Sequence, residues 1–313
     1  MIVRTREQQP FKLYRTWLID GDRWTHFEAR AGDVVVCTYP KSGTTWMLRI
    51  LGLLFYDKTD AIPLDTTFPW WEFRMGMSIE DLSTSFKTRS GRRAVKSHLP
   101  HDGIPFDKKL KYIHVCRDGR DVCLSYHNHS TGFLPHVLER MNAIGLADEM
   151  IGSPYPQIQT DPADFFHDWL TKPALPGEQD GKPFLSYFDF ELSYWRNRHQ
   201  KNLLFVHYAD LLANLVHEME RVADFLEIQV PKERLKTLAD AASFASMSQQ
   251  GAVYLPNNSK DFQDGANRLF NKGEIGRWKG IFRSEDLALF EKKLREKLPP
   301  EAVDWLLHGG SHG

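Results

Sequence analysis

The residues Lys41, Ser42, Gly43, Thr44 and Thr45 form the chain's clearest chemical cluster, following the run Val34–Val35–Val36–Cys37–Thr38–Tyr39–Pro40. The β-branched run reads as a buried strand, and the apolar spacing from Thr44 to Phe55 predicts a helix beyond a short turn. Free main-chain N–H groups at the start of such a helix, with its dipole behind them, make an anion site. Lys41 adds a full positive charge, and Ser42, Thr44 and Thr45 add hydroxyl donors. The plain alternative is a strand–turn–helix junction without a ligand, and that concentration of charge and hydroxyls argues against it. The order is not that of a Walker A loop, whose lysine follows its last glycine. Here Lys41 precedes Gly43, which puts the lysine on the opposite side of the anion.

Two further segments end predicted strands. Arg117–Asp118–Gly119–Arg120–Asp121–Val122–Cys123–Leu124–Ser125 follows Lys111–Cys116, with a helix predicted over 120–127. Arg117 at a strand's carboxyl end and Ser125 two helical turns on suit a second phosphate; a structural Arg–Asp ion pair fits the same residues, and both readings stand. Lys96–Ser97–His98–Leu99–Pro100 ends the strand candidate Arg93–Lys96. A lone histidine is usually structural, but ligand sites of doubly wound sheets gather at the carboxyl ends of strands. Histidine titrates near neutrality, which suits taking a proton from a hydroxyl or amine.

Along the chain, β-rich runs alternate with amphipathic stretches, which predicts an α/β fold: one domain over all 313 residues, with a central parallel sheet flanked by helices. Asn202–His207 is a fourth strand candidate, and helices are expected over 162–170, 186–200, 215–226, 232–242 and 285–298. Ile151–Asp161 and Gln249–Gly276, rich in Gly, Pro and Asn, are candidate loops or lids. The formal net charge of -1 gives no global basic field for nucleic acid or a membrane surface, so an anionic substrate needs a local basic pocket. The three cysteines are too few and too scattered for a disulfide framework or a metal cluster. No apolar run approaches a membrane span and the first ten residues lack an apolar signal core, so a reduced cytoplasm is expected.

Taken together, these motifs resemble the cytosolic sulfotransferase family over roughly Asp33 to Trp278. Tyr39–Pro40–Lys41–Ser42–Gly43–Thr44–Thr45–Trp46 is similar, position for position, to its 5′-phosphosulfate loop, with the P-loop-like strand–loop–helix that this implies. The resemblance implies that Ser42, Gly43, Thr44 and Thr45 hold the 5′-phosphate of 3′-phosphoadenosine 5′-phosphosulfate (PAPS). It also implies that Trp46 stacks on adenine and Lys41 neutralises the departing phosphate oxygen. Arg117 and Ser125 resemble the 3′-phosphate pair, and the Lys-x-His-Leu-Pro segment resembles the one whose histidine, here His98, is the general base. Lys96 would then face the oxygens of the moving sulfuryl group. Tyr208 and the pair Ser243–Phe244 resemble adenine contacts. Asn271, Lys272 and Gly273 resemble a closing loop around the 3′-phosphate, with Asn271 where the family has arginine, so one phosphate contact is weakened.

The implied activity is in-line sulfuryl transfer from PAPS to a small acceptor, releasing adenosine 3′,5′-bisphosphate (PAP), with no metal required. An aromatic set, Phe68, Trp70, Trp71, Phe73, Tyr126, Phe133, Phe165, Phe166 and Trp169, supplies candidates for an apolar acceptor wall, and His127 and His129 could border it. A P-loop nucleotide kinase, a non-catalytic nucleotide-binding protein and an enzyme using its sulfated product as an intermediate are the rivals. The order Lys41 then Gly43 opposes the first, and the presence of both Lys41 and His98 opposes the second. Of the family's short dimer motif only Lys279 is present, with Arg283, Ser284 and Ala288 at the later positions. A monomer, or a dimer formed elsewhere, is expected.

Overall fold

The computed structural model describes residues 2–3, 11–270 and 272–310. Two short strands, β1 (Ile2–Val3) and β2 (Phe11–Lys12), pair antiparallel. The central sheet has four strands, β3 (Val34–Thr38), β4 (Ala94–Ser97), β5 (Lys111–Cys116) and β6 (Leu203–His207). All neighbours run parallel, in the order β4-β3-β5-β6. β3 is buried along its whole length, as a strand covered on both faces must be, and its Val-rich sequence suits that position.

Helices cover both faces. On one side Met47, Ile50 and Leu51 of the helix Thr44–Tyr56 pack with Met219 and Val222 of Leu215–Phe225 and Leu235 and Leu238 of Lys232–Ala241. On the other, Tyr39, Tyr112, Phe166, Trp169, Tyr187 and Phe290 share a second apolar layer.

The connection leaving β3 leads to β4 on one side, while β5 leads to β6 on the other. That divergence opens a crevice at the carboxyl ends of β3 and β5, where a doubly wound sheet places its ligand.

The expected strands are all present, and most expected helices keep their bounds to within a few residues. The segment expected to be helical over 186–200 stops early: the helix is Tyr187–Trp195, and 196–200 close as turns through Gln200 N–H to Asn197 O at 3.1 Å. Gln249–Gly276 is more than a loop, since it carries helical turns at Gly251–Tyr254, Asn258–Asp261 and Ala266–Leu269. Helices at Ile79–Lys87, Pro135–Ala147 and Pro300–His308 complete the covering. Pro135 and Pro300 open theirs, where a missing N–H costs nothing. No helix among the described residues is long and apolar enough to cross a membrane.

Candidate active site

A cavity of about 780 Å³ lies over the carboxyl ends of the strands. Its wall includes Lys41, Gly43, Thr44, Thr45, Trp46, Lys96, His98, Arg117, Ser125, Tyr208, Phe244, Lys272 and Gly273. Residues scattered over more than two hundred positions thus meet in one space. Asn271 lies outside the described residues. Ser42 is the exception among the rest: its side chain is fully buried beneath the loop and its Oγ has no partner among the described residues, so its hydroxyl is not on the wall.

The turn between β3 and its helix is shaped by two residues with positive φ, Lys41 at 75° and Gly43 at 114°. A lysine in that region is an uncommon, strained choice, and such strain collects at ligand sites. Gly43 is obligatory twice over, because a Cβ there would stand 3.0 Å from the Tyr208 ring. Gly43 caps the helix without a side-chain hydrogen bond, so the first N–H groups remain available to a ligand. Thr44 Oγ1 lies 2.6 Å from Thr38 Oγ1. Burial, with Arg117 and Lys96 adding to it, pushes Lys41 down to about 8; Lys96 is pushed to about 8 by burial.

The structural ion pair that this segment allowed forms without Arg117. Arg117 enters no ion pair among the described residues; Asp118 pairs with Arg120 instead, at 2.7 Å. Arg117 Nη2 donates to Glu274 O at 2.8 Å, its guanidinium stands 4.3 Å from the Tyr208 ring centre, and its buried Nε has no partner among the described residues. A cation so placed beside an anion-binding turn is available to a second anionic group. Trp46 and Tyr208 meet edge to face at 5.3 Å, and Trp46 Nε1 donates to Ala242 O at 2.8 Å.

His98 is 6 % exposed. Its Nδ1 lies 2.8 Å from Thr38 O, a carbonyl that can only accept, so Nδ1 carries the proton and Nε2 keeps a free lone pair. Nε2 has no hydrogen-bond partner among the described residues. Titration near neutrality, expected from the residue type, is not what the structure gives. Burial first, then Lys96 and Lys41, push His98 down to about 3 against the opposing pull of Thr38 O. The imidazole is therefore neutral across the physiological range.

The segment from Leu255 to Trp278 closes the cavity. Gly276 and Arg277 donate main-chain N–H groups to Asp121 at 2.8 and 3.2 Å, and Arg268 Nε donates to Asn128 O at 2.6 Å. Gly273, at φ 67°, comes so near Phe244 that a Cβ would stand 2.5 Å from its ring. Of the aromatic set, Trp70, Phe73, Tyr126 and Phe133 line the cavity; Phe68, Trp71, Phe165, Phe166 and Trp169 are core. His129 is on the wall, whereas His127 turns to Gln159 O and Thr160 O, each at 3.1 Å.

The sequence model described as the sulfotransferase domain matches residues 31–299. The chain belongs to the sulfotransferase family. It is 28% identical over 312 residues to a glycolipid sulfotransferase of Mycobacterium tuberculosis, covering 96% of this chain and 95% of that one. It is 27% identical over 308 residues to mouse sulfotransferase 1B1, covering 94% and 92%. A crystal structure of a mouse sulfotransferase complexed with PAP superposes with a TM-score of 0.68 at 22% identity, covering 97% of this chain and 98% of that one. Retinol dehydratase, crystallised with androsterone and PAP, superposes at 0.70 with 21% identity, covering 96% and 90%. These likenesses in structure establish the fold of this sulfotransferase.

Two residues of this family member escaped sequence reasoning. Glu72, fully buried, accepts the His98 main-chain N–H at 2.6 Å; its signal was a carboxylate inside the aromatic run Phe68–Phe73. Asp121 was hidden among the charges of 117–121, and its partners lie 155 residues away. Cys116, read as isolated, meets His114 and Glu191 with ligand-type atoms within 4.8 Å of one another. His114 Nε2 and Glu191 Oε2 pair at 2.8 Å, and none of the three lines the cavity.

Proposed function

We propose that the chain transfers a sulfuryl group from PAPS to a hydroxyl or amine of a small, largely apolar acceptor, with His98 as general base. The observation that carries this is the state of His98: a neutral imidazole whose bare Nε2 shares a cavity with an anion-binding turn, Lys41 and Lys96. The acceptor oxygen attacks sulfur while the bond from sulfur to the phosphate oxygen breaks, and the acceptor proton passes to Nε2. Lys41 and the amides of the turn take up the charge appearing on the departing PAP, and Lys96 faces the sulfuryl oxygens in flight. Arg117 and Ser125 hold the 3′-phosphate, with Lys272 and Gly273 closing over it; Trp46, Tyr208 and Phe244 enclose the adenine. The mycobacterial relative's glycolipid substrates support an acceptor hydroxyl on an amphiphile, whose apolar part would lie along Trp70, Phe73 and Phe133.

A mass-spectrometric screen of alcohols, phenols and amines with PAPS tests the activity directly by the added sulfuryl mass. In His98→Ala, kcat for an alcohol acceptor falls by ~10²–10⁴-fold, the usual contribution of a positioned base, while PAP affinity is kept. Full turnover of an alcohol by that variant removes the histidine from the mechanism.

A further inference from the structure

Pro69 to Glu72 runs beside the outer edge of β4, bonding through Lys96 N–H to Pro69 O at 3.0 Å and Trp71 N–H to Lys96 O at 3.2 Å. This pairing delivers Glu72 beneath the catalytic histidine. Four donors converge on its carboxylate: His98 N–H at 2.6 Å, Trp70 Nε1 at 2.7 Å and Ser97 Oγ at 3.1 Å on Oε1, and Trp24 Nε1 at 3.1 Å on Oε2. Three of them are N–H groups that can only donate, so both carboxyl oxygens act as acceptors; burial pushes the Glu72 carboxyl up, and the hydrogen bonds from His98, Trp70 and Ser97 oppose it. A carboxyl group at 0 % exposure, amid tryptophans, is a costly choice that an apolar residue would avoid.

What Glu72 holds gives that cost a purpose. Trp70 meets His98 edge to face at 4.8 Å, stacks on Phe73 at 4.7 Å, and lies 5.2 Å from the Lys96 ammonium. One carboxylate therefore grips the main chain of the base and the indole of the acceptor wall together. We infer that Glu72 is a positioning residue that fixes His98 Nε2 against the acceptor hydroxyl by anchoring both the base and Trp70. This rests on His98 being the general base. A loose Glu72 lets the imidazole and the wall drift independently, and proton removal, which tolerates little misplacement, suffers first. An acceptor that arrives already ionised needs no proton removed and is spared.

The test is Glu72→Gln, assayed with PAPS at pH 8 on benzyl alcohol and on 4-nitrophenol, whose hydroxyl is then largely ionised. The amide keeps the shape and one acceptor oxygen. We expect kcat for benzyl alcohol to fall ~10–100-fold and kcat for 4-nitrophenol by less than ~3-fold, with PAP affinity within about 2-fold. The Gln amide also faces the Trp24 indole donor, so Glu72→Gln with Trp24→Phe removes that clash and serves if the single variant does not fold. Equal losses on both acceptors, a rise in KM alone, or no loss overturns the inference, as does failure of both variants to bind PAP, which makes Glu72 a folding element only. His98→Ala run in parallel separates the two claims. Retained alcohol turnover there defeats the base itself, whereas its loss beside an unselective Glu72→Gln defeats only the role of Glu72.

Discussion

The two ends of the cavity are built by opposite means. At the turn's end the candidate anion site is local: Lys41, Gly43, Thr44 and Thr45 are consecutive or nearly so, and the first main-chain N–H groups of one helix stand uncapped there. At the closing side the structure is assembled from distant pieces, with Asp121 holding Gly276 and Arg277, and Arg117 holding Glu274. A local site is rigid because the chain itself fixes it. A site closed by long-range hydrogen bonds can open at the cost of a few of them, which suits a cofactor that must enter and leave. Arg117 touches both, since its Nη1 also reaches Lys41 O at 3.5 Å.

If that division holds, the largest effect on binding comes from the shared residue. Arg117→Ala should weaken PAP by ~10–150-fold, the loss of a charge-assisted contact worth ~1.5–3 kcal/mol. Adenosine 5′-phosphate, which lacks the second phosphate and rests on the local turn, should lose less than ~3-fold. Calorimetry giving the unmutated protein equal affinity for the two nucleotides would show that the nucleotide end works alone.

Asp121→Ala addresses the closing side by itself. Amide exchange in residues 272–278 should quicken by ~10-fold or more, because two main-chain donors lose their acceptor. The change in PAP affinity should stay below ~5-fold, since loosening the segment is offset by removing a negative charge beside Arg117. Unchanged exchange, read by mass spectrometry, would mean that Asp121 does not hold the segment.

The same contrast decides what the sequence revealed. The strand–turn–helix at Lys41 is legible because its determinants lie within a dozen residues: a β-branched run, a turn glycine and a helical apolar period. The strand pattern alone places Arg117 and His98 at strand ends without any contact being known, while the order that sets the switch point between β3 and β5 comes from the structure. Glu72 and Asp121 are invisible by that route, since their meaning lies in partners 26 and 155 residues away. The pKa of His98 is set by what residue type does not show: type gives the starting value, but burial, Lys96 two residues before it on β4 and Lys41 in the turn after β3 set the outcome. The turns within Gln249–Gly276 were missed because they are too short for periodicity to register.

The smallest effect is a proton count at the nucleotide end. In the empty cavity Lys41 and Lys96 are both held down to about 8, mainly by burial, so each is about half charged at pH 8. A bound anion favours the ammonium form and raises both values, so binding must take up protons where the empty protein lacks them. The sign follows: affinity for PAP is flat well below pH 8 and declines as pH rises through it, because more of the binding energy is spent reprotonating the lysines. At pH 8, above the phosphate titrations of the ligand, about one proton should enter per PAP bound, measured as the slope of apparent enthalpy against buffer ionisation enthalpy. Lys41→Ala should lower that uptake to about half, leaving the share of Lys96. No uptake in the unmutated protein would mean both lysines are already charged in the empty cavity, and the positive field at this end would then be permanent rather than created by the ligand.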